Sequence, residues 1–371
     1  MSLTLQSILG AEALAAFEAP RAVARGLPAA AYTSEAVFQL ENERIFAESW
    51  VFAGLAHELA RPGDVVPVTV AGKPVLLVRD ADGEVRAFHN VCRHRCLKLV
   101  EEPGNVGPTI QCPYHSWTYK LDGALHLAPY FGGHDPRAVP AGFDRAQHGL
   151  VPVRVATWHD WIFINLSGEA PPIDDFVAPI QRHLEGIDLA GMRHVVTVDL
   201  GEIGANWKLL MENFIEPYHV PFVHATTTEQ PLTDHYTLNE PGCLGCAVNV
   251  SGTAKRDDTL SADSRYLTLF PNFSFGLYLP HQVGVHLDVP LAPDRTYQRR
   301  AVYTLGDVPI SEEQTEQLAT LWRDVHVEDQ VICERLQQGR ASGVADDGGV
   351  LSPVWEDSVR SFQELVVSHL R

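Results

Sequence analysis

The sequence predicts an α+β fold with two domains, and the patterning of strands, helices and a linker supports this. From about residue 50 to 166, short strand-like runs alternate with turn signals. Pro171-Pro172 and the acidic residues after it mark a linker. Beyond the linker come further strand patterns and a long helical pattern after Pro309, which together are typical of an α+β domain.

These features divide the chain into three segments. An Ala-rich helical pattern broken at Pro20 and Pro28 comes first. We therefore expect a helical segment over 1–47, a β-rich domain over 48–167 and an α+β catalytic domain over 168–371.

Composition excludes several classes of protein. The 371 residues include 28 Lys+Arg and 47 Asp+Glu, so the net charge is 28 − 47 = −19. Hydrophobic residues at 45% and charged residues at 20% exclude extensive disorder. An acidic protein repels phosphate backbones, and no apolar run reaches the roughly 18 residues of a spanning helix. We expect a cytoplasmic protein with neither nucleic acid nor membrane as a partner.

Two short loops each combine one cysteine with one histidine. Cys92-Arg93-His94 is followed, after 17 residues, by Cys112-Pro113-Tyr114-His115. A structural zinc site usually pairs Cys with Cys and His with His. A [2Fe–2S] cluster with two Cys ligands on one iron and two His ligands on the other uses mixed loops. A zinc site, or buried cysteines beside unrelated histidines, is the alternative.

These loops resemble the Rieske iron–sulfur family over Cys92-Arg93-His94-Arg95 and Cys112-Pro113-Tyr114-His115-Ser116-Trp117. The resemblance implies that Cys92 and Cys112 bind one iron, and that His94 and His115 bind the other. Cys96 departs from the pattern, since many relatives carry a small residue there. We interpret Cys96 as a small packed thiol; a disulfide or a spare ligand is the alternative.

A second group of candidate ligands follows a helical pattern near 205–215. The apolar spacing of this pattern predicts one core face, formed by Trp207, Leu210, Met211 and Phe214. Pro217 disfavours helix at Glu216, and Pro221 is expected to break the segment between His219 and His224. Without a continuous helix, both imidazoles are free to converge on one ion.

The pattern of the predicted C-terminal helix indicates a third ligand. It opens with a capping-box-like Ser311-Glu312-Glu313-Gln314, and its apolar stripe runs Leu318, Trp322, Val325, Asp329, Ile332 and Leu336. A carboxylate inside a buried stripe needs a cationic or hydrogen-bonding partner. His219, His224 and Asp329 would form a 2-His-1-carboxylate triad suited to non-haem Fe(II), whereas Glu328 falls off the stripe and is expected to be solvated.

The segment Asn213-Phe214-Ile215-Glu216-Pro217-Tyr218-His219…His224 resembles the iron motif of Rieske non-haem iron oxygenases. The resemblance covers nearly the whole chain and implies a helix-grip (START-like) catalytic domain, with an antiparallel sheet and a long C-terminal helix. It also implies that Glu216 bridges two metal centres across a subunit boundary, where ring-hydroxylating members mostly have Asp. Asn213 is a further candidate near the iron.

The family resemblance implies an alpha-type terminal oxygenase that uses O₂, a Rieske [2Fe–2S] cluster and mononuclear Fe(II). Since the sequence has no nucleotide-binding motif, a separate NAD(P)H-dependent flavin/iron–sulfur reductase must supply electrons, with or without a ferredoxin. Homotrimeric assembly is also implied. A Rieske electron carrier without oxygenase activity is a distant alternative.

For the substrate, the resemblance favours members that monooxygenate or N-demethylate quaternary ammonium compounds such as glycine betaine, carnitine and stachydrine. Aromatic side chains could cage such a cation, and we expect them to come from Phe273, Phe275 and Tyr278, with His286 nearby. Hydroxylation of an aromatic ring or aromatic acid is the alternative. Cys243-Leu244-Gly245-Cys246 is expected to be a strand turn rather than a redox dithiol.

Overall fold

The structure, a computed structural model, divides into two compact units. Residues 46–173 form one unit, and residues 1–45 together with 174–371 form the other. These divisions lie two residues before and six residues beyond the predicted boundaries. The structure describes residues 4–21, 25–228, 230–249, 263–278, 281–344 and 347–371.

Helices are concentrated in the larger unit, and a π-helical turn at Asn42–Phe46 follows the fourth of them. The helices of the described residues are α1 (Leu5–Leu9), α2 (Ala11–Phe17), α3 (Ala30–Thr33), α4 (Glu35–Glu41), α5 (Ile173–His183), α6 (Trp207–Ile215), α7 (Val220–Val223), α8 (Glu312–Ala341) and α9 (Asp357–Leu370).

The strands confirm the predicted α+β class. They are β1 (Val51–Leu55), β2 (Asp64–Val70), β3 (Lys73–Arg79), β4 (Val85–His89), β5 (Gly104–Asn105), β6 (Thr109–Gln111), β7 (Thr118–Lys120), β8 (Leu125–Leu127), β9 (Pro152–Trp158), β10 (Trp161–Asn165), β11 (Arg193–Ile203), β12 (His235–Thr237), β13 (Cys243–Asn249), β14 (Asp263–Leu269), β15 (Phe273–Tyr278), β16 (Gln282–Ala292) and β17 (Arg295–Thr304).

The smaller unit holds both Cys/His loops. Its main sheet has the order β1-β10-β9-β4-β3-β2-β5, and a second sheet has the order β6-β7-β8. The first loop follows β4, and the second joins β6 to β7. Cys92, Cys112, Trp117 and Tyr119 belong to the buried core of this unit, so both loops are anchored by their own buried residues.

The larger unit is built on one antiparallel sheet with the order β11-β17-β16-β15-β14-β13-β12. Helix α6 contacts β13, β14, β16, α8 and α9. Every residue from Trp207 to Glu212 is therefore buried, whereas Phe214 is only partly buried. The prediction of a single core face was wrong, because α6 lies between the sheet and two helices.

A buried ion pair attaches the N-terminal segment to α6. Lys208 Nζ lies 2.5 Å from Glu41 Oε1, and both side chains are wholly buried. Trp207 Nε1 donates to the other carboxylate oxygen of Glu41 at 2.9 Å. Buried charges are tolerated when they are paired and hydrogen-bonded, and Lys208 has its partner in Glu41. Residues 35–41, which carry Glu41, are therefore an integral part of this unit.

The long helix α8 begins with the predicted capping box at Ser311 and Gln314. Its buried stripe differs from the prediction, because Leu336 is 44% exposed. The stripe that is buried runs Trp322, Val325, His326, Cys333 and Gln337. Asp329 lies four residues from Val325 and four from Cys333, which places it on this stripe.

Cys243 and Cys246 are in strand β13, so the predicted strand turn was wrong. Both thiols are buried. Burial raises the pKa of Cys243 to about 12 and that of Cys246 further, which disfavours the thiolate that a redox dithiol needs. Within the described ranges, no helix combines the length and the apolar character needed to cross a bilayer.

Candidate metal centres and substrate cavity

The two Cys/His loops have the same backbone geometry. In the first, Cys92 N donates to Leu97 O and Cys96 N donates to Cys92 O. In the second, Cys112 N donates to Trp117 O and Ser116 N donates to Cys112 O. Each loop thus closes with the same pair of hydrogen bonds, and the two cysteines occupy equivalent positions.

Cys96 and Ser116 also occupy equivalent positions, with φ of 55° and 57°. A non-glycine residue rarely adopts this left-handed conformation, so the loop shape imposes it on both. The Cys96 thiol is exposed and free. The interpretation of Cys96 as a packed thiol was wrong, because the loop turns this position toward solvent.

The four sequence-predicted cluster residues divide by burial. The cysteines are 1% and 2% exposed, whereas His115 is exposed and His94 is partly buried. The centroids of the two imidazole rings lie 4.7 Å apart, and Trp117 stacks on His94 at 4.9 Å. Two thiols on the inner side and two imidazoles on the outer side fit a cluster with mixed ligation.

Tyr119 supports the cysteine side of this site. Its hydroxyl lies 3.3 Å from Cys92 Sγ and accepts a hydrogen bond from Arg93 N at 2.9 Å. Burial and the neighbouring cysteines raise the pKa of Tyr119, so the hydroxyl keeps its proton and can donate to sulfur.

The second group of candidate ligands lies where α6 ends. Glu216 has an extended backbone, as Pro217 requires. Pro221 does not break the segment as predicted; it lies in the first turn of the one-turn helix α7. Proline is tolerated there because the first N–H groups of a helix need no intrahelical partner. The short helix brings His219 and His224 to its two ends.

The structure brings His219, His224 and Asp329 together. One ligand atom of each lies within 4.8 Å of the others. Asp329 Oδ1 is 3.0 Å from His224 Nε2 and 3.6 Å from His219 Nε2. Yet Oδ1 is buried without an aligned hydrogen bond in the part of the chain described. Two nitrogens and one oxygen facing a common point fit a divalent metal ion.

The Nδ1 atom of each histidine, which is not the nitrogen facing Asp329, is held by a glutamate. His219 Nδ1 is 2.5 Å from Glu216 Oε1, and His224 Nδ1 is 2.7 Å from Glu328 Oε2. Thr227 Oγ1 also donates to Glu328 at 2.7 Å. The prediction that Glu328 is solvated was wrong: its side chain is 27% exposed and orients a candidate ligand. Burial lowers the pKa of His224, but the Asp329 and Glu328 carboxylates raise it to about 9.

A cavity with about 640 Å³ of empty space, part of which is open solvent, adjoins this histidine–aspartate group. Asn213 and Glu216 line it beside the candidate ligands. Its other lining residues include Phe214, Tyr266, Tyr278, His286, Arg300 and Trp322.

The predicted aromatic cage is only partly in this cavity. Ser274 faces α6, since its hydroxyl contacts Met211 Sδ, and it pairs across the strands with His286. Tyr278 shares this face and lines the cavity. Phe273 and Phe275 alternate onto the opposite face of β15 and are buried there, so their prediction as cavity residues was wrong.

Sequence reasoning missed Arg300, Tyr266 and Trp322. Arg300 lies in β17 directly across from His286 in β16. An alternation pattern assigns one face of each strand but does not show which face adjoins a cavity. The paired glycines of β15 and β16, Gly276 and Gly284, were the available signal, because glycine inside a strand often marks a close approach.

Comparisons with known proteins agree with this geometry. Residues 49–140 match the Rieske [2Fe-2S] domain, and residues 182–371 match the catalytic domain of the ring hydroxylating alpha subunit. The two matches confirm the prediction of a Rieske cluster and a mononuclear iron centre. The assignment of individual ligands stays a prediction.

Curated relatives are oxygenase subunits. The chain is 40% identical over 194 residues to a glycine betaine monooxygenase oxygenase subunit of Pseudomonas aeruginosa, which covers 52% of this chain and 43% of that protein. It thus matches less than half the length of that relative. It is 29% identical to the carnitine monooxygenase oxygenase subunit of Acinetobacter pittii, over 94% of this chain and 95% of the other.

Solved structures extend the similarity to the whole fold. The quaternary ammonium Rieske monooxygenase CntA in complex with an inhibitor superposes with a TM-score of 0.83 at 26% identity, covering 96% of this chain and 98% of the other. Naphthalene 1,2-dioxygenase with bound indole shares the fold, with a TM-score of 0.76 at 22% identity over 93% and 92% of the two chains. The catalytic-domain match spans just over half of the chain, which therefore belongs to the ring-hydroxylating alpha-subunit family of Rieske non-haem iron oxygenases.

Proposed function

We propose that this protein is the terminal oxygenase of a multicomponent system that monooxygenates or N-demethylates a quaternary ammonium compound. The observation that carries the proposal is the convergence of His219, His224 and Asp329 beside a cavity rich in aromatic side chains. Relatives named for glycine betaine and carnitine support this substrate class.

We assign Cys92, Cys112, His94 and His115 to the Rieske cluster, and His219, His224 and Asp329 to the mononuclear iron. When bound, the cluster supplies single electrons and the iron supplies O₂ activation.

The protein side chains have separate tasks. Glu216 and Glu328 accept from the Nδ1–H groups of His219 and His224, so that both Nε2 atoms would be available as ligands to the iron. Glu216 is itself held by the backbone N–H groups of Tyr218 and His219. We propose Glu216 for the bridging role between subunits and Asn213 as a cavity residue near the iron.

The partners belong to the same proposal. A solved quaternary ammonium Rieske monooxygenase gives insight into inter-subunit electron transfer, which supports electron exchange between subunits here. We propose that the subunits form a homotrimer. An oxygenase subunit without a nucleotide-binding motif needs a separate reductase, which we propose to be NAD(P)H-dependent.

A single-turnover experiment tests this function. Holoprotein reduced without O₂ is mixed with O₂ and a panel of quaternary amines and aromatic acids. We expect formaldehyde or another aldehyde together with the demethylated or shortened amine. A phenol or dihydrodiol would instead identify a ring hydroxylase.

An Asp329→Ala variant is the matched control. It should keep the absorption spectrum of the Rieske cluster, whose proposed ligands lie in the other unit, and give no product. Iron analysis should show about three irons per chain in the wild type and about two in the variant. Three irons with no oxidised amine or arene would contradict the proposed activity.

A further inference from the structure

Arg300 is a buried cation at the cavity, and no part of the proposed chemistry uses it. Arg300 is 2% exposed, and it lines the cavity together with His286, His326 and Trp322. A buried charge is costly unless another charge compensates it. The groups around the guanidinium therefore show what kind of ligand it can accept.

The guanidinium packs against uncharged groups. Its Cζ lies 3.5 Å from the centre of the Trp322 ring. A Cβ added to Gly284 would come within 3.0 Å of Nη2, Cζ and Nε, so the guanidinium also lies close to the Gly284 backbone. Gly276 faces Gly284 across the strands and similarly makes room for the Tyr278 ring.

One edge of the guanidinium is held by two histidines. Arg300 Nη1 lies 2.9 Å from His286 Nε2 and 3.2 Å from His326 Nε2. Because arginine can only donate, both Nε2 atoms accept and both rings are neutral. Burial and the nearby positive charge lower the pKa of each ring, in agreement with this assignment. Neither histidine supplies a counter-charge.

The other edge is unpaired. Arg300 Nε and Nη2 are buried without a hydrogen-bond partner among the described residues. The carboxylates that line the cavity, Glu216 and Asp329, adjoin His219 and His224 instead. The Nε–Nη2 edge of arginine is a fork that matches a carboxylate with two parallel hydrogen bonds.

We propose that Arg300 binds the carboxylate of the substrate, so that the enzyme acts on zwitterionic betaines rather than on cations such as choline. The inference rests on the proposed oxidation of quaternary ammonium compounds and specifies which of them are accepted. Tyr278 and Trp322 already contact the arginine cation. Phe214 and Tyr266, with ring centroids 6.1 Å apart, are left to face the ammonium group.

Three ligands of similar size and shape differ in the charges that they carry, so the contribution of each charge to binding can be measured. Glycine betaine has both charges, choline keeps the ammonium but replaces the carboxylate, and 3,3-dimethylbutanoate keeps the carboxylate with a neutral tert-butyl group. Their dissociation constants are measured by calorimetry on holoprotein without O₂. We expect glycine betaine to bind more tightly than choline, by about tenfold to a hundredfold.

Substitutions of Arg300 test whether this residue causes the preference for ligands with a carboxylate. Arg300→Gln should weaken glycine betaine and 3,3-dimethylbutanoate by about tenfold to a hundredfold and leave choline within about twofold. Arg300→Lys should restore part of the loss, because it keeps the charge but not the fork. Arg299→Gln is the matched control: it removes the same charge from the adjacent residue, which does not line the cavity.

Two results would overturn the inference. One is wild-type protein that binds choline as tightly as glycine betaine, which needs no variant to fold. The other is an Arg300→Gln loss that is equal for choline and glycine betaine. Failure of the proposed function would give a different result. The affinity for 3,3-dimethylbutanoate would still depend on Arg300, but no quaternary amine would be oxidised in the single-turnover experiment.

Discussion

Removing the Glu328 carboxylate should loosen metal binding at His224. Its Oε2 accepts from His224 Nδ1 and from Thr227 Oγ1, each at 2.7 Å. Loss of such an outer partner typically lowers metal affinity by about tenfold to a hundredfold. Because the Glu328 side chain is 27% exposed, water can replace part of the interaction. We therefore expect Glu328→Ala to weaken Fe(II) binding by about tenfold to thirtyfold, or about 1.4 to 2 kcal/mol.

The assay is a competition for Fe(II) against a chelator of known affinity, with the Rieske absorption spectrum as an internal check of folding. Glu328→Gln keeps an acceptor for His224 and should lose only about threefold. Glu316→Gln, at an exposed position of the same helix, is the matched control. Wild-type Fe(II) affinity in Glu328→Ala, or an equal loss in Glu316→Gln, would refute the reasoning.

Three further changes test other parts of the structure. Tyr119→Phe removes the hydroxyl beside Cys92 Sγ and should make the cluster potential more negative, measured by redox titration; an unchanged potential would contradict a hydrogen bond to sulfur. Phe275→Leu should lower Tm without changing KM, because Phe275 is buried on the face away from the cavity; a raised KM would place it at the substrate. Burial raises the pKa of Asp288 to about 7, so the contribution of Asp288 to stability should fall as pH rises from about 4 to 7. Asp288→Asn removes this loss, and its Tm advantage should be larger at pH 8 than at pH 5; an equal difference would argue against a raised pKa.

Most of the candidate metal residues could be proposed from the sequence because short local spacings group them, whereas Asp329 was proposed from the helical stripe of α8. Each Cys/His loop is only a few residues long, and the repeated backbone hydrogen bonds at Cys92 and Cys112 show why this spacing suffices. Glu328 could not be predicted in this way. A helical stripe identifies the residues that face the core, but Glu328 reaches His224 from beside the stripe, through a contact between distant parts of the chain.

The cavity was predicted less well than the metal site. Strand alternation correctly separates Phe275 from Tyr278, but which face meets α6 depends on how the sheet packs. Arg300 is an ordinary strand residue by pattern. Its burial against Gly284 and Trp322, and its position at the cavity, depend on how the sheet and α8 pack together.

The division of the chain has a consequence for the order of folding during synthesis. Residues 46–173 are contiguous and interrupt the other unit, whose first part ends at residue 45. Contacts of that first part come from the far end of the chain: Arg44 donates to Leu370 O, and Gln363 donates to Tyr32. Domains generally fold as units, so the interrupting unit can fold as it leaves the ribosome. The N-terminal segment therefore cannot complete these contacts until residues 363–370 have been synthesised.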